Sequence, residues 1–135
     1  MKSRMLLRSS NLLALCLLGS GCGGNSEIAS VSGTITLDGT PLAQASVTFQ
    51  PDKGRPSHGG TDDKGFYTLT YSMQEKGAVI GPSTVRISTA TEDADGKRRR
   101  ESIPKRYFGE GGVKVQVENK NNKIDIALTS KEEGA

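Results

Sequence analysis

The stretch VSGTITLDGT, residues 31–40, decides the fold. Val31, Gly33, Ile35 and Leu37 alternate with Ser32, Thr34 and Thr36. Successive side chains of an extended chain point to opposite faces, so the run describes a strand with one buried face and one wet face. Asp38-Gly39 follows at once, a pair suited to a tight reversal because glycine accepts positive φ without a Cβ clash.

The same period of two continues downstream. Ala45, Val47 and Phe49 alternate with Ser46 and Thr48 as a second strand, and the loop DKGRPSHGG, residues 52–60, ends in residues able to pair as a short edge strand. Asp62, Asp63 and Gly65 make a turn. Tyr67, Leu69 and Tyr71 then mark one face of a third long strand, and Val85 and Ile87 mark a fourth. After the polar stretch from Thr91 to Gly112, Val113, Val115 and Val117 alternate with Lys114, Gln116 and Glu118. Ile124, Ile126 and Leu128 alternate with Asp125 and Ala127 beyond the turn NKNNK, residues 119–123. No segment holds a helical period over ten residues. The expectation is an all-β chain: residues 31–129 as a single antiparallel β-sandwich of about seven strands, one of them short, with 130–135 as a polar tail.

Ahead of the domain the pattern changes. Lys2, Arg4 and Arg8 precede an apolar block, Leu12 to Leu18, and then small residues. That order is the signature of an export signal, expected over residues 1–21. A membrane-spanning helix needs roughly 20 apolar residues, and this block is shorter and is broken upstream by Arg8 and Asn11. Leu18-Gly19-Ser20-Gly21-Cys22 resembles the lipobox of bacterial lipoproteins, with Gly19 where that family prefers a large aliphatic residue. The resemblance makes Cys22 the lipid attachment residue, and residues 22–30, rich in Gly, Asn and Ser, a flexible tether. Of the two cysteines, Cys16 lies in the part to be removed, so Cys22 is left without an internal disulfide partner. The expectation is an exported protein held in the cell envelope, on its periplasmic or surface face, by a lipid anchor worth ~0.8 kcal/mol per buried methylene.

Charge is counted after processing. The chain carries 18 basic and 15 acidic side chains; without Lys2, Arg4 and Arg8 the two kinds are equal in number. A global basic field for nucleic acid is absent, and no nucleic acid partner is expected. The roughly 114 residues from Cys22 onward suit one domain with one core.

With these residues placed, VSGTITLDGTPLAQASVTFQP, TDDKGFYTL, IPKRYFG and KVQVENKNNKIDIAL resemble the carboxypeptidase regulatory-like domains of planctomycete lipoproteins, which have a transthyretin-like fold. The resemblance covers nearly the whole chain after Cys22 and implies a non-catalytic domain. The residue inventory agrees. A zinc peptidase needs several ligands, whereas the chain has one histidine, His58. The histidine-rich sites of hydroxyisourate hydrolases and the Tyr₂His₂ iron site of intradiol dioxygenases have no counterpart. Ser57 next to His58 makes no nucleophile–base pair, because neighbours on a strand face opposite ways. Glu92, Asp93, Asp95 and Gly96 lack the closing glutamate of an EF-hand loop. Val31 to Leu37 holds no lysine and Lys123 to Thr129 no asparagine, so the crosslink of isopeptide-forming sandwiches is not encoded. No enzyme activity, metal or cofactor is expected.

The longest connection, Thr91 to Gly112, exceeds the ~12–15 residues beyond which structureless loops are uncommon unless functional or disordered. Its charges are sorted, acids first and then Lys97, Arg98, Arg99, Arg100, Lys105 and Arg106. This basic patch is the candidate partner-facing site, for anionic lipid head groups, an envelope polysaccharide or an acidic envelope protein. The expected function is a non-catalytic adhesion or interaction module. The alternative is a carbohydrate-binding module, which needs exposed aromatics for stacking; there is no Trp, Tyr67 and Tyr71 belong to core strands, and Tyr107 and Phe108 are the loop aromatics.

Overall fold

The computed structural model describes residues 27–131. The export signal, Cys22, most of the tether and the last four residues lie outside the described part. Thirteen extended segments follow one another: β1 (Ile28–Ala29), β2 (Val31–Leu37), β3 (Thr40–Pro41), β4 (Ser46–Pro51), β5 (Ser57–Gly60), β6 (Phe66–Thr68), β7 (Thr70–Ser72), β8 (Glu75–Lys76), β9 (Ala78–Val79), β10 (Gly81–Ser88), β11 (Val113–Val117), β12 (Asn122–Lys123) and β13 (Ile126–Leu128). A single 3₁₀ turn, Lys105–Tyr107, is the helical element among them.

The strands form two main layers. The larger sheet has the order β11-β10-β4-β5-β7-β8; the smaller centres on β2, with β12 and β13 on one side and β3 and β6 on the other. β1 pairs separately with β9. The alternation read in the sequence decides what lies between the layers. Val47 and Phe49 of β4 and Val85 and Ile87 of β10 are fully buried, opposed by Ile35, Tyr67, Leu69 and Leu128 at 1% exposure or less. The Phe49 and Tyr67 rings lie 6.2 Å apart in a tilted pair. Each such side chain contributes about 1.5–3 kcal/mol by leaving water.

Three details differ from the sequence expectation. The third long strand is broken: Phe66–Thr68 pairs with β2, Leu69 turns across the gap, and Thr70–Ser72 joins the larger sheet through His58. Tyr67 and Leu69 therefore close one flank of the core by changing layers. β5 is interior rather than at an edge, since both β4 and β7 pair with it. Finally, β12 and β13 run parallel to β2. β11 returns along β10, the chain turns through residues 118–121, and its next direction is the one β2 already has.

β2 packs unusually close to the segment between β12 and β13. A Cβ on Gly33 would sit 1.9 Å from the Ile124 carbonyl oxygen, so this approach requires glycine. The same oxygen accepts a 2.7 Å hydrogen bond from the Tyr67 hydroxyl. Burial, reinforced by the nearby Asp125 carboxylate, pushes the Tyr67 phenol well above its ordinary pKa, which keeps the donor protonated. Gly65 has φ +77°, and a Cβ there would meet the Ile35 carbonyl oxygen at 2.5 Å; the turn after Asp62-Asp63 thus needs glycine for conformation and for space.

Strand directions separate two ends. At one, here the entry end, lie Glu27 and β1, the loop 52–56, the 73–74 reversal and the 118–121 turn. The Glu27 carbonyl accepts the Ile80 amide at 2.7 Å. At the other, the far end, lie the Asp38-Gly39 turn, the Asp62–Gly65 turn, the long 91–112 connection and the exit of the chain after Leu128. Asp38 fastens that exit by accepting from the Ser130 hydroxyl at 2.5 Å and the Ser130 amide at 3.0 Å. These two bonds, the hydroxyl first, hold its carboxyl below the ordinary range.

Candidate partner-binding surface

The 91–112 connection is built in two parts. In the first, Glu92 and Arg98 face each other in an antiparallel bridge. The Arg99 amide donates to the Thr91 carbonyl at 2.8 Å and the Asp93 amide to the Lys97 carbonyl at 3.1 Å. The reversal is made by Asp93, whose Oδ1 accepts the amides of Asp95 and Lys97 at 3.0 and 2.8 Å, with Gly96 at φ +78°. Asp93 is thereby a turn residue. The product is a small hairpin whose residues 92–100 are all exposed. Arg98 Nε lies 3.6 Å from Glu92 Oε2, with both side chains largely in solvent, an ion pair of small energetic weight.

The second part is pinned to the sandwich by side chains. Glu101 turns inward: Oε1 accepts from the Thr89 amide and hydroxyl at 2.7 and 2.6 Å, and Oε2 from the Ser88 hydroxyl at 2.6 Å. Partial burial raises the Glu101 pKa, but hydrogen bonds from Ser88, Thr89 and Ala90 outweigh it and hold the carboxyl below its ordinary value. Ile103 enters the core at 6% exposure. Arg106 lies over the Tyr107 ring at 4.7 Å, and its Nη2 donates to the Thr129 carbonyl and hydroxyl and to the Lys131 carbonyl at 2.7–2.8 Å. Tyr107 Oη accepts from the Thr129 amide at 3.1 Å. Burial raises this phenol's pKa, and bonds from Thr129 and Arg106 more than reverse the effect.

The basic patch read from the sequence therefore divides. Lys97, Arg98, Arg99 and Arg100 share the exposed hairpin, and Lys105 is exposed at the start of the 3₁₀ turn. Arg106 is half-buried and spends its guanidinium on the end of its own chain, so its work is structural. Glu101, which fixes where the hairpin springs from, was not singled out in the sequence; its one signal there is an acid following four cations and preceding the buried Ile103.

The remaining candidates also have places. His58 is exposed, with Nδ1 3.3 Å from Thr48 Oγ1 across the β4–β5 ladder, while Ser57 is buried on the opposite face. Among the described residues no three His, Cys, Asp or Glu side chains gather as a metal-binding group, and no helix is long and apolar enough to cross a membrane. Tyr71 lies under Arg55 at 5.4 Å, and Tyr107 and Phe108 pack against the core. Among the described residues the exposed large apolar side chains are Phe66, on the outer side of the smaller sheet, and Met73, at the entry end.

No protein-family model matches the chain, and no curated protein matches it. Among solved structures, the major pilin subunit of Bacillus cereus is similar over 77% of this chain, with a TM-score of 0.48 and 11% identity. A 9R-lipoxygenase from Cyanothece is similar over 90%, with a TM-score of 0.39 and 16% identity. This chain spans 30% of that pilin chain and 18% of that lipoxygenase chain.

Proposed function

We propose that the protein is an exported, non-catalytic interaction module of the cell envelope, anchored through a lipid on Cys22 and holding its partner with the exposed cations of the far end. The observation that carries this reading is the placement of the Lys97–Arg100 hairpin at the end opposite the one where the chain enters. Four residues lie between Cys22 and Glu27, and the five steps from one to the other reach at most about 18 Å. β2 alone, seven residues long, runs about 23 Å. An anchor at Cys22 keeps the entry end near the bilayer and presents the hairpin a strand length further out. Anionic lipid of the same membrane is then the least suitable of the three targets considered, and an acidic polymer or protein in the envelope is the better one. The resemblance to carboxypeptidase regulatory-like lipoproteins supports both the anchor and the non-catalytic reading.

Two measurements test this. Wild-type protein takes up labelled fatty acid and sediments with membranes, whereas Cys22→Ser does neither; equal labelling of both defeats the anchor. Changing Arg98, Arg99 and Arg100 together to Ser lowers the salt concentration at which the protein is released from envelope material. Equal release of variant and wild type across a salt series defeats the far-end assignment.

A further inference from the structure

We infer that Met73 is a second membrane contact, an apolar side chain of the entry end that dips into the lipid surface holding the acylated Cys22, an assignment that rests on that anchor. Met73 is fully exposed. It sits on the reversal between β7 and β8, where Thr70 pairs with Lys76 and Ser72 with Glu75, and where the Gln74 amide donates to the Ser72 hydroxyl at 3.3 Å. Such reversals favour Gly, Asn, Asp and Ser, and the residues on either side of Met73 are polar. A single apolar side chain on a protein surface is ordinary; what sets Met73 apart is its place.

The ribbon that carries Met73 is fastened to the strand by which the chain enters. β9 follows β8 after Gly77 alone and pairs with β1, Ile28 opposite Val79 and Ala29 opposite Ala78. A Cβ on Gly77 would lie 2.2 Å from the Ala29 carbonyl oxygen, so the two segments meet backbone to backbone. The covalent reach from Cys22 to Glu27 is at most about 18 Å, and a lipid on Cys22 therefore keeps Met73 beside the bilayer. One methionine does not hold a protein on a membrane from solution. In the anchored chain the contact is intramolecular, and the short span to Cys22 gives it a high effective concentration. The same end is apolar close by: half-buried Ile80 and exposed Pro82 line, with Pro51, a depression of about 280 Å³. Its charges are balanced locally. Lys53 and Lys76 have Asp52 and Glu75 next to them in the chain, and Lys120 pairs with Glu118 at 2.7 Å. The contact is thus apolar, and the lipid need not be anionic. An anchor at one point leaves the sandwich free to turn about it; a second point at Met73 fixes which end faces outward.

Two readouts test the contact, one on the native residue and one on its depth. Lipid-bearing wild type reconstituted in phosphatidylcholine vesicles, and Cys22→Ser mixed with the same vesicles, are treated with chloramine-T, and sulfoxide at Met73 is followed in its tryptic peptide. The chain has no Trp, so Met73→Trp adds a lone fluorophore, to be placed on vesicles of acyl-brominated phosphatidylcholine. Phe66→Trp, on the outer side of the smaller sheet, serves as the comparison. The expected result is slower oxidation of Met73 in the vesicle-held protein than in Cys22→Ser, at low and high salt alike. Emission of Met73→Trp should be quenched and shifted to the blue, while Phe66→Trp keeps its full emission. Equal oxidation in the held and released forms, or unquenched Met73→Trp on vesicles, overturns the contact and leaves the anchor standing on its fatty-acid label. Protection that disappears at high salt overturns its apolar character. Wild type that carries no fatty acid overturns the anchor, and the contact with it.

Discussion

The two ends of the sandwich are closed by different means. Near the entry end the strands meet through backbone: Ile80 donates to Glu27, Ile124 to Ser32 and Asn122 to Ser30, and Gly33 lets the Ile124 carbonyl press directly on β2. One buried side chain there, Asn122, closes the 118–121 turn by accepting the Glu118 amide and donating to the Glu118 and Lys120 carbonyls. At the far end the long connection is held by side chains, Glu101 on Ser88 and Thr89, Ile103 in the core and Arg106 on the last residues. Backbone contact tolerates almost no change of residue. Side-chain pins leave the nine residues between them and Thr91 outside the packed structure, where charge can collect at no cost to the core.

That contrast orders the expected effects of mutation. Gly33→Ala should be the most damaging, because the Ile124 carbonyl or β2 itself must move. A loss of at least about 3 kcal/mol is expected, read as a fall of roughly ten degrees or more in melting temperature. An unchanged melting curve would mean that β2 and Ile124 are not in contact. Glu101→Gln should cost less, about 1 kcal/mol at neutral pH, and should loosen the hairpin base in hydrogen exchange while β4 and β10 stay protected.

The pH dependence of that second effect has a definite sign. Glu101 is held below its ordinary value of 4.5 in the folded protein. Its contribution is therefore present above about 4.5 and is lost as pH falls through the lower folded value. The stability gap between wild type and Glu101→Gln should narrow on acidification below that point. A gap that widens there would show that the carboxylate is not the form being held. The smallest effect is expected from the hairpin itself: Arg98, Arg99 and Arg100 to Ser should change stability by no more than about 0.5 kcal/mol. A larger loss would make those arginines part of the fold.

Legibility in the sequence follows the same division. Val31 to Leu37, Ser46 to Pro51 and Val113 to Val117 were readable because each keeps alternation over a whole strand, a local signal, whereas Gly81 to Ser88 showed only at Val85 and Ile87, because Ser83, Thr84 and Val85 are buried in succession. The change of layer at Leu69 was not, because Tyr67, Leu69 and Tyr71 alternate without interruption and the break is imposed by two different partners, β2 and β5. The parallel run of β12 and β13 beside β2 is likewise a matter of non-local pairing, across some ninety residues. At the far end the basic run stood out by composition. That Arg106 belongs to a different task depends on Thr129 and Lys131, more than twenty residues away, and the inward turn of Glu101 depends on Ser88 and Thr89. No spacing rule joins those positions before the chain has folded.

The central claim is that the entry end faces the membrane and the far end faces the partner, and tryptic cleavage of the anchored protein tests it most directly. Lys53 lies in the entry-end loop and Lys97 to Arg100 in the far-end hairpin, all exposed. Cleavage rates at both places are compared between the membrane-held wild type and released Cys22→Ser. Anchoring should slow cleavage after Lys53 and leave cleavage within Lys97–Arg100 unchanged. Protection of the hairpin on anchoring, with Lys53 cut at the same rate in both forms, would contradict it.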